Sequence, residues 1–107
     1  MSIIKHKPQY KNMNTQQPYC NLGELSLDEE YRIFGFFIVT SGKYGDTAVM
    51  VIDGFNVNLP THRLDRVKDI MGDRESTELI NNGEVYATVY EYTDGHGVIR
   101  RSVSIHC

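Results

Sequence analysis

The 107-residue chain has 11 Lys and Arg against 14 Asp and Glu, a formal net charge of −3, and 40% of its residues are hydrophobic. This length fits one domain with a single core, and the acidic balance excludes an overall basic surface. The longest apolar run, Ile33–Val39, is too short to span a bilayer, so we expect no membrane partner.

The cysteines and the first residues indicate where the protein resides. Cys20 and Cys107 are the only thiols, which allows one bridge but favours a reducing compartment in which both are free. Ile3-Ile4 is followed by Lys-His-Lys-Pro, which is not the apolar stretch of a secretory leader. We therefore expect a cytoplasmic protein.

Residues 1–21 differ in charge from the rest of the chain. They contain Lys5, Lys7 and Lys11 and no acidic residue, whereas all 14 Asp and Glu follow residue 21. Their Gln, Asn and Pro content predicts an extended basic arm over 1–21, ahead of one domain over 22–107. The lysines either contact phosphates or form a solubilising tail, and Tyr10 and Tyr19 could dock the arm.

Three strand-like runs open the domain. Tyr31–Ser41 is apolar at both phases, which predicts a strand covered on both sides, and Thr47–Asp53 and Phe55–Leu59 follow it. Asp53-Gly54 is a strong two-residue turn signal between the second run and the third.

One helical stretch, Thr61–Asn82, comes next. Leu64, Val67 and Ile70 recur at helical spacing, Gly72 suits a helix end, and Arg74–Asn82 could form a second turn. The last two strands, Glu84–Tyr92 and Val98–His106, form a hairpin. The order β-β-β-α-β-β predicts a mainly β protein with one or two short helices, built as a five-stranded OB-like barrel.

A row of tyrosines on the first strand of this hairpin is the strongest candidate site. Val85, Ala87 and Val89 alternate with the tyrosines and should face inward. The rings then face outward, where exposed aromatic side chains stack nucleic-acid bases; the alternative is cross-strand pairing or contact with a partner. The residues on this phase are Tyr86, Tyr90 and Tyr92, with Arg100 and Ser102 on the partner strand.

Two further charged regions are candidate binding sites. Lys43 and Tyr44 lie between glycines at a predicted hairpin tip, where a cation beside a ring suits a phosphate next to a base, or forms a solvated tip. Arg63, Arg66 and Lys68 alternate with Asp65 and Asp69 on the helix, and mixed signs indicate a solvated face.

No catalytic motif, cofactor motif or metal-ligand spacing is present in the sequence. The four histidines show no metal spacing, neither cysteine has a supporting nucleophile motif, and Gly42–Gly45 lacks the spacing of a phosphate-binding loop. We expect a protein that is not an enzyme and needs no cofactor or metal.

The body of the chain resembles small single-stranded-DNA-binding or replication-accessory proteins of Gram-positive phages and mobile elements. The resemblance covers roughly Tyr31 to Ile105 and implies an OB barrel that binds one nucleic-acid strand without strong sequence preference. The residues that carry it are Gly35-Phe36-Phe37-Ile38, Lys43-Tyr44-Gly45, Asn58-Leu59-Pro60, Val67-Lys68-Asp69-Ile70 and Val89-Tyr90-Glu91-Tyr92.

Two functions follow from these observations. The first is binding of single-stranded DNA or RNA by the tyrosines, Lys43, Arg100 and the lysines of the arm, with homodimerisation possible. The alternative is a protein–protein module of a phage or mobile element, such as an inhibitor of a host CRISPR effector. There the acidic cluster Asp28-Glu29-Glu30 would imitate phosphates, unless it is only a solvated turn.

Overall fold

The computed structural model describes residues 9–41 and 45–107, which form seven strands and two short α-helices. The strands are β1 (Tyr19–Asn21), β2 (Glu30–Arg32), β3 (Gly35–Ser41), β4 (Gly45–Ile52), β5 (Phe55–Asn58), β6 (Tyr86–Thr93) and β7 (Ile99–His106). The helices are α1 (Leu64–Met71) and α2 (Arg74–Asn81), and single 3-10 turns occupy Leu22–Glu24 and Thr61–Arg63. The expected mainly β class with two short helices is confirmed.

The strands form two sheets. One has the order β1-β5-β4-β3, and the other has the order β2-β6-β7. The predicted strand Tyr31–Ser41 is divided between them, because Ile33 donates its backbone N–H to Val85 while Phe34 donates to Val51. Consecutive residues of one extended chain thus change hydrogen-bond partners from the second sheet to the first.

Among the described strands, no ladder joins the two sheets into one closed barrel. β1 pairs in parallel with β5, with Cys20 opposite Val57. In a closed barrel the last strand would hydrogen-bond to this edge of β5, which β1 occupies here. The sequence does not predict β1, because three residues give no periodic pattern.

The helical stretch is divided at Gly72 and Asp73. Asp73 is the N-cap of α2, and its Oδ2 accepts hydrogen bonds from the backbone N–H and the hydroxyl of Ser76. Both helices place apolar residues in the core, which also takes side chains from both sheets. Its members include Phe36, Met50, Val57, Val67, Ile70, Ile80, Ala87, Val89 and Val103. Of the helices described, none combines the length and apolar character that a membrane crossing requires.

Residues 9–18 form a segment, here called the N-terminal strap, that lies on the body instead of extending from it. Gln17 Nε2 donates to the backbone oxygens of Ile52 and Phe55 and to Oδ1 of Asn56, and Gln17 Oε1 accepts from Gly54 N–H. Asn56 is fully buried and donates to Thr15 O.

The strap covers the face of the first sheet that points away from the core. Tyr10 and Met13 pack over Gly35, where an added Cβ would lie 2.6 Å from the Met13 sulfur. The second half of β4 is buried on both faces, since Val49, Met50, Val51 and Ile52 are all at most 1% exposed. The predicted extended arm thus packs on the body over 9–21, and its residues 1–8, with Lys5 and Lys7, lie outside the described residues.

Candidate functional site

The tyrosine pair Tyr90 and Tyr92 lies on the outer face of the β6–β7 hairpin. Tyr90 is opposite Ser102 and Tyr92 is opposite Arg100 in the antiparallel register, the shared phase expected from the alternation. The two rings are 38% and 37% exposed, with centroids 6.3 Å apart at an interplanar angle of 47°. Two adjacent exposed rings can each offer a face to a planar ligand.

Arg63, in the turn before α1, binds this outer face. Its Nε donates to the Ser102 hydroxyl at 3.0 Å, and its Nη2 donates to the Tyr90 hydroxyl at 2.8 Å. The His62 ring lies 3.3 Å from the same Ser102 oxygen, and these contacts leave Ser102 only 1% exposed. Arg63 is thereby held by two neutral oxygens, while a guanidinium has five N–H donors to offer.

Arg66, one turn further along α1, shares an open cleft of about 470 Å³ with Arg63. The cleft is lined by Arg63, Arg66, Tyr90, Val103, Ser104 and Ile105, and this lining contains no acidic residue. Within residues 9–41 and 45–107, neither arginine forms an ion pair. Two positive charges therefore face solvent beside the exposed tyrosines without a carboxylate to neutralise them.

The cleft is positive although the helix carries both signs, because the arginines line it and the acids do not. Arg63 and Arg66 are three residues apart and lie on one side of the helical stretch, and neither Asp65 nor Asp69 is among the residues that line the cleft. The predicted solvated face agrees with the exposure of Asp65, Arg66, Lys68 and Asp69, but Arg63 is half-buried against the second sheet. The i, i+3 spacing of the arginines was the signal that could have placed Arg63 and Arg66 together.

Arg100, predicted to supply a phosphate contact, is paired within its own hairpin. Its Nε binds Oδ2 of Asp94 in the turn. The hydrogen bond from Arg100, supported by the backbone N–H groups of Val98 and His96, lowers the pKa of Asp94, and the same contact raises the pKa of Arg100. The side chain remains close to Tyr92, but Asp94 already neutralises its charge.

The other predicted site residues are not gathered at this cleft. Tyr86 is half-buried opposite His106, and Lys11 lies in the strap, where its backbone N–H donates to Asn81 at the end of α2. Lys43 and Tyr44 lie outside the described residues, as do Lys5 and Lys7.

The acidic cluster Asp28-Glu29-Glu30 forms the exposed turn leading into β2. Asp28 has a φ of +62°, and Glu29 accepts a hydrogen bond from the Tyr31 hydroxyl at 2.9 Å. Glu30 lies 3.9 Å from His106 Nε2. Two of the three acids thus have partners inside the fold, which gives the cluster a local role.

Neither the thiols nor the acidic and imidazole groups assemble a metal centre in the described part of the chain. Cys20 is buried, which raises the pKa of its thiol, with a smaller contribution from Glu24. Cys107 is an exposed free thiol. No protein-family model, curated protein or solved structure matches the chain.

Proposed function

We propose that this protein binds single-stranded nucleic acid, without catalysis, on a surface formed by Tyr90, Tyr92, Arg63 and Arg66, here called the tyrosine–arginine face. The observation that carries the proposal is the hydrogen-bonding of Arg63. Its guanidinium is fixed by Tyr90 and Ser102, two neutral partners, and retains its full charge toward the cleft.

Phosphate is the ligand chemistry that this arrangement favours. A half-buried cation without a counter-charge is stabilised by a bound anion, and guanidinium groups bind phosphate oxygens through charge-assisted hydrogen bonds. The adjacent rings of Tyr90 and Tyr92 add stacking surface for bases, each worth about 1–3 kcal/mol, with little sequence preference. The combination of ring and cation supports a nucleic acid over a simple anion.

The net charge of −3 does not conflict with this function. Local fields determine where a polyanion binds, and none of the described acidic residues lines the cleft. The contribution expected from Arg100 is smaller than that of Arg66, because Asp94 already neutralises it.

We also propose that the two sheets correspond to the halves of an OB-like barrel, as the resemblance to phage single-strand-binding proteins implies. The support is the segment Glu30–Ser41, which pairs with β6 at one end and with β4 at the other. In this proposal, β1 occupies the edge of β5 to which β7 would hydrogen-bond if the barrel were closed. The usual ligand face of such barrels, on the second and third strands, is here covered by the N-terminal strap.

The test is a titration of a fluorescently labelled oligothymidylate, followed by anisotropy at several salt concentrations. Binding should weaken steeply as salt rises and should be lost in the double variant Tyr90→Ala/Tyr92→Ala. The double variant Tyr19→Ala/Leu27→Ala, which removes exposed apolar side chains elsewhere, is the matched control. Absence of binding at low salt would contradict the proposal and favour a protein partner.

A further inference from the structure

A second recess lies on the other side of Arg66. It has a volume of about 100 Å³ and shares both Arg66 and Ile105 with the larger cleft. Its aliphatic walls come from both helices and the chain before β6, namely Ile70, Leu79, Ile80 and Val85, and Ser76, His106 and Cys107 complete the lining. A mostly apolar recess therefore opens beside the same arginine that faces the proposed phosphate position.

We propose that this recess holds one single-ring base of the bound nucleic acid, next to the phosphate at Arg63 and Arg66. The inference rests on the proposed function and extends it. Charge complementarity identifies the occupant, because the only cation shared by the two cavities is Arg66 among the described residues. A ligand that fills both cavities combines an anion at Arg66 with a flat, largely apolar group beside it, and a base attached to a phosphodiester has this combination.

The size of the recess limits what enters it. A volume of about 100 Å³ suits one pyrimidine ring and is small for the fused rings of a purine. Tyr90 lies in the lining of the larger cleft and not in that of the recess. The site then has two base positions, one on the tyrosine pair and one in the recess, on either side of the phosphate position.

The recess carries its own chemical reporter. Cys107 lines it and is an exposed free thiol, whereas Cys20, the other thiol, is buried in the core at 5% exposure. A base seated in the recess would restrict access to Cys107. Alkylation of Cys107 therefore measures occupancy of the recess independently of affinity.

The experiment measures the rate of Cys107 alkylation by N-ethylmaleimide, with and without tetrathymidylate at saturation. Anisotropy of the same samples verifies that the oligonucleotide is bound. A matched backbone of four abasic sites and a tetra-adenylate are the comparison ligands, and Cys107→Ser reports any reaction of Cys20. We expect tetrathymidylate to slow alkylation at least about five-fold, with less than two-fold slowing by the other two ligands.

The outcomes separate the two proposals. If tetrathymidylate does not bind, the proposed function fails. If it binds and Cys107 reacts at the unprotected rate, the base-binding recess is wrong while the tyrosine–arginine face stands. Equal protection by the abasic backbone or by tetra-adenylate would also overturn the inference.

Discussion

Nη2 of Arg63 donates a hydrogen bond to the hydroxyl of Tyr90 at 2.8 Å, and this contact joins the turn before α1 to the outer face of the β6–β7 hairpin. The same guanidinium binds Ser102, the cross-strand neighbour of Tyr90. The outer face of the second sheet, which carries Tyr90, and the two arginines of the cleft, Arg63 and Arg66, therefore form one surface. A change in either residue should affect both the ring and the charge.

The first prediction separates the Tyr90 ring from its hydroxyl. Tyr90→Phe keeps the stacking surface but removes one of the two hydrogen bonds that fix Arg63, so affinity for oligothymidylate should fall by roughly 0.5–1.5 kcal/mol. Tyr90→Ala removes the ring as well and should cost about 1–3 kcal/mol. Tyr92→Phe deletes a hydroxyl for which the described residues provide no hydrogen-bond partner, and is the matched control in the same anisotropy titration.

A loss in Tyr92→Phe equal to that in Tyr90→Phe would show that the hydroxyls act only as general polar groups. The coupling between Arg63 and Tyr90 would then have no role in binding.

The second prediction concerns the two arginines that differ in their partners. Arg66→Ala should lower affinity and reduce the salt slope by about 0.7, the value for one phosphate contact on a single strand. Arg100→Ala should change the slope much less, since Asp94 already neutralises that side chain. Lys68→Ala, on the opposite side of α1, controls for the loss of one positive charge. Equal slopes for Arg66→Ala and Lys68→Ala would contradict the account.

The third prediction tests how the strap is held. Gln17→Ala removes the hydrogen bonds to the β4–β5 turn and leaves Oδ1 of the buried Asn56 without its partner. The free energy of unfolding, measured by urea denaturation, should fall by about 1–3 kcal/mol. Gln16→Ala is the matched control, because the Gln16 side chain is exposed. No difference between the two variants would indicate that the strap contributes little to stability.

The fourth prediction concerns Tyr10, whose burial in the strap raises the pKa of its hydroxyl to about 12. That hydroxyl has no hydrogen-bond partner among the described residues, so Tyr10→Phe should leave stability at neutral pH unchanged or increase it. A raised pKa favours the protonated form in the folded state. The resulting stability is present below the ordinary value of 10 and is lost as pH rises toward 12.

The measurement for Tyr10 is urea denaturation across that alkaline range. Wild type should lose more free energy of unfolding than Tyr10→Phe, with Tyr19→Phe, an exposed ring, behaving as wild type. An identical alkaline loss in wild type and Tyr10→Phe would mean that the Tyr10 hydroxyl is not buried in solution.

The β6–β7 hairpin was predictable because Val85, Ala87 and Val89 alternate with polar and aromatic residues and its turn has a clear signal. Tyr90 and Tyr92 alternate with Val89 and Glu91, and Asp94 begins a four-residue turn, so the register follows from local pattern. The division of the helical region was also accessible, since Gly72 ends α1 and Asp73 caps α2.

The features that sequence analysis missed depend on contacts between distant residues. The parallel pairing of β1 with β5 and the Gln17 bonds join residues more than 30 positions apart, which no local periodicity encodes. The neutralisation of Arg100 by Asp94 was similarly hidden, because a turn residue and a strand residue meet only after the hairpin forms. The hydrogen bond from Arg63 to Tyr90 also joins residues that are far apart in the sequence, so no local pattern predicts it.

In the proposed function, Arg63 and Arg66, which have no ion-pair partner among the described residues, bind the phosphates of single-stranded nucleic acid beside Tyr90 and Tyr92. The most direct test is the salt slope of oligothymidylate binding in wild type and in Arg63→Ala/Arg66→Ala. We expect wild type to bind measurably. In the double variant, the affinity at low salt should be at least about ten-fold weaker and the salt slope should be smaller by about 1.4. A wild-type slope retained in the double variant, or no binding by wild type, would overturn the proposed function.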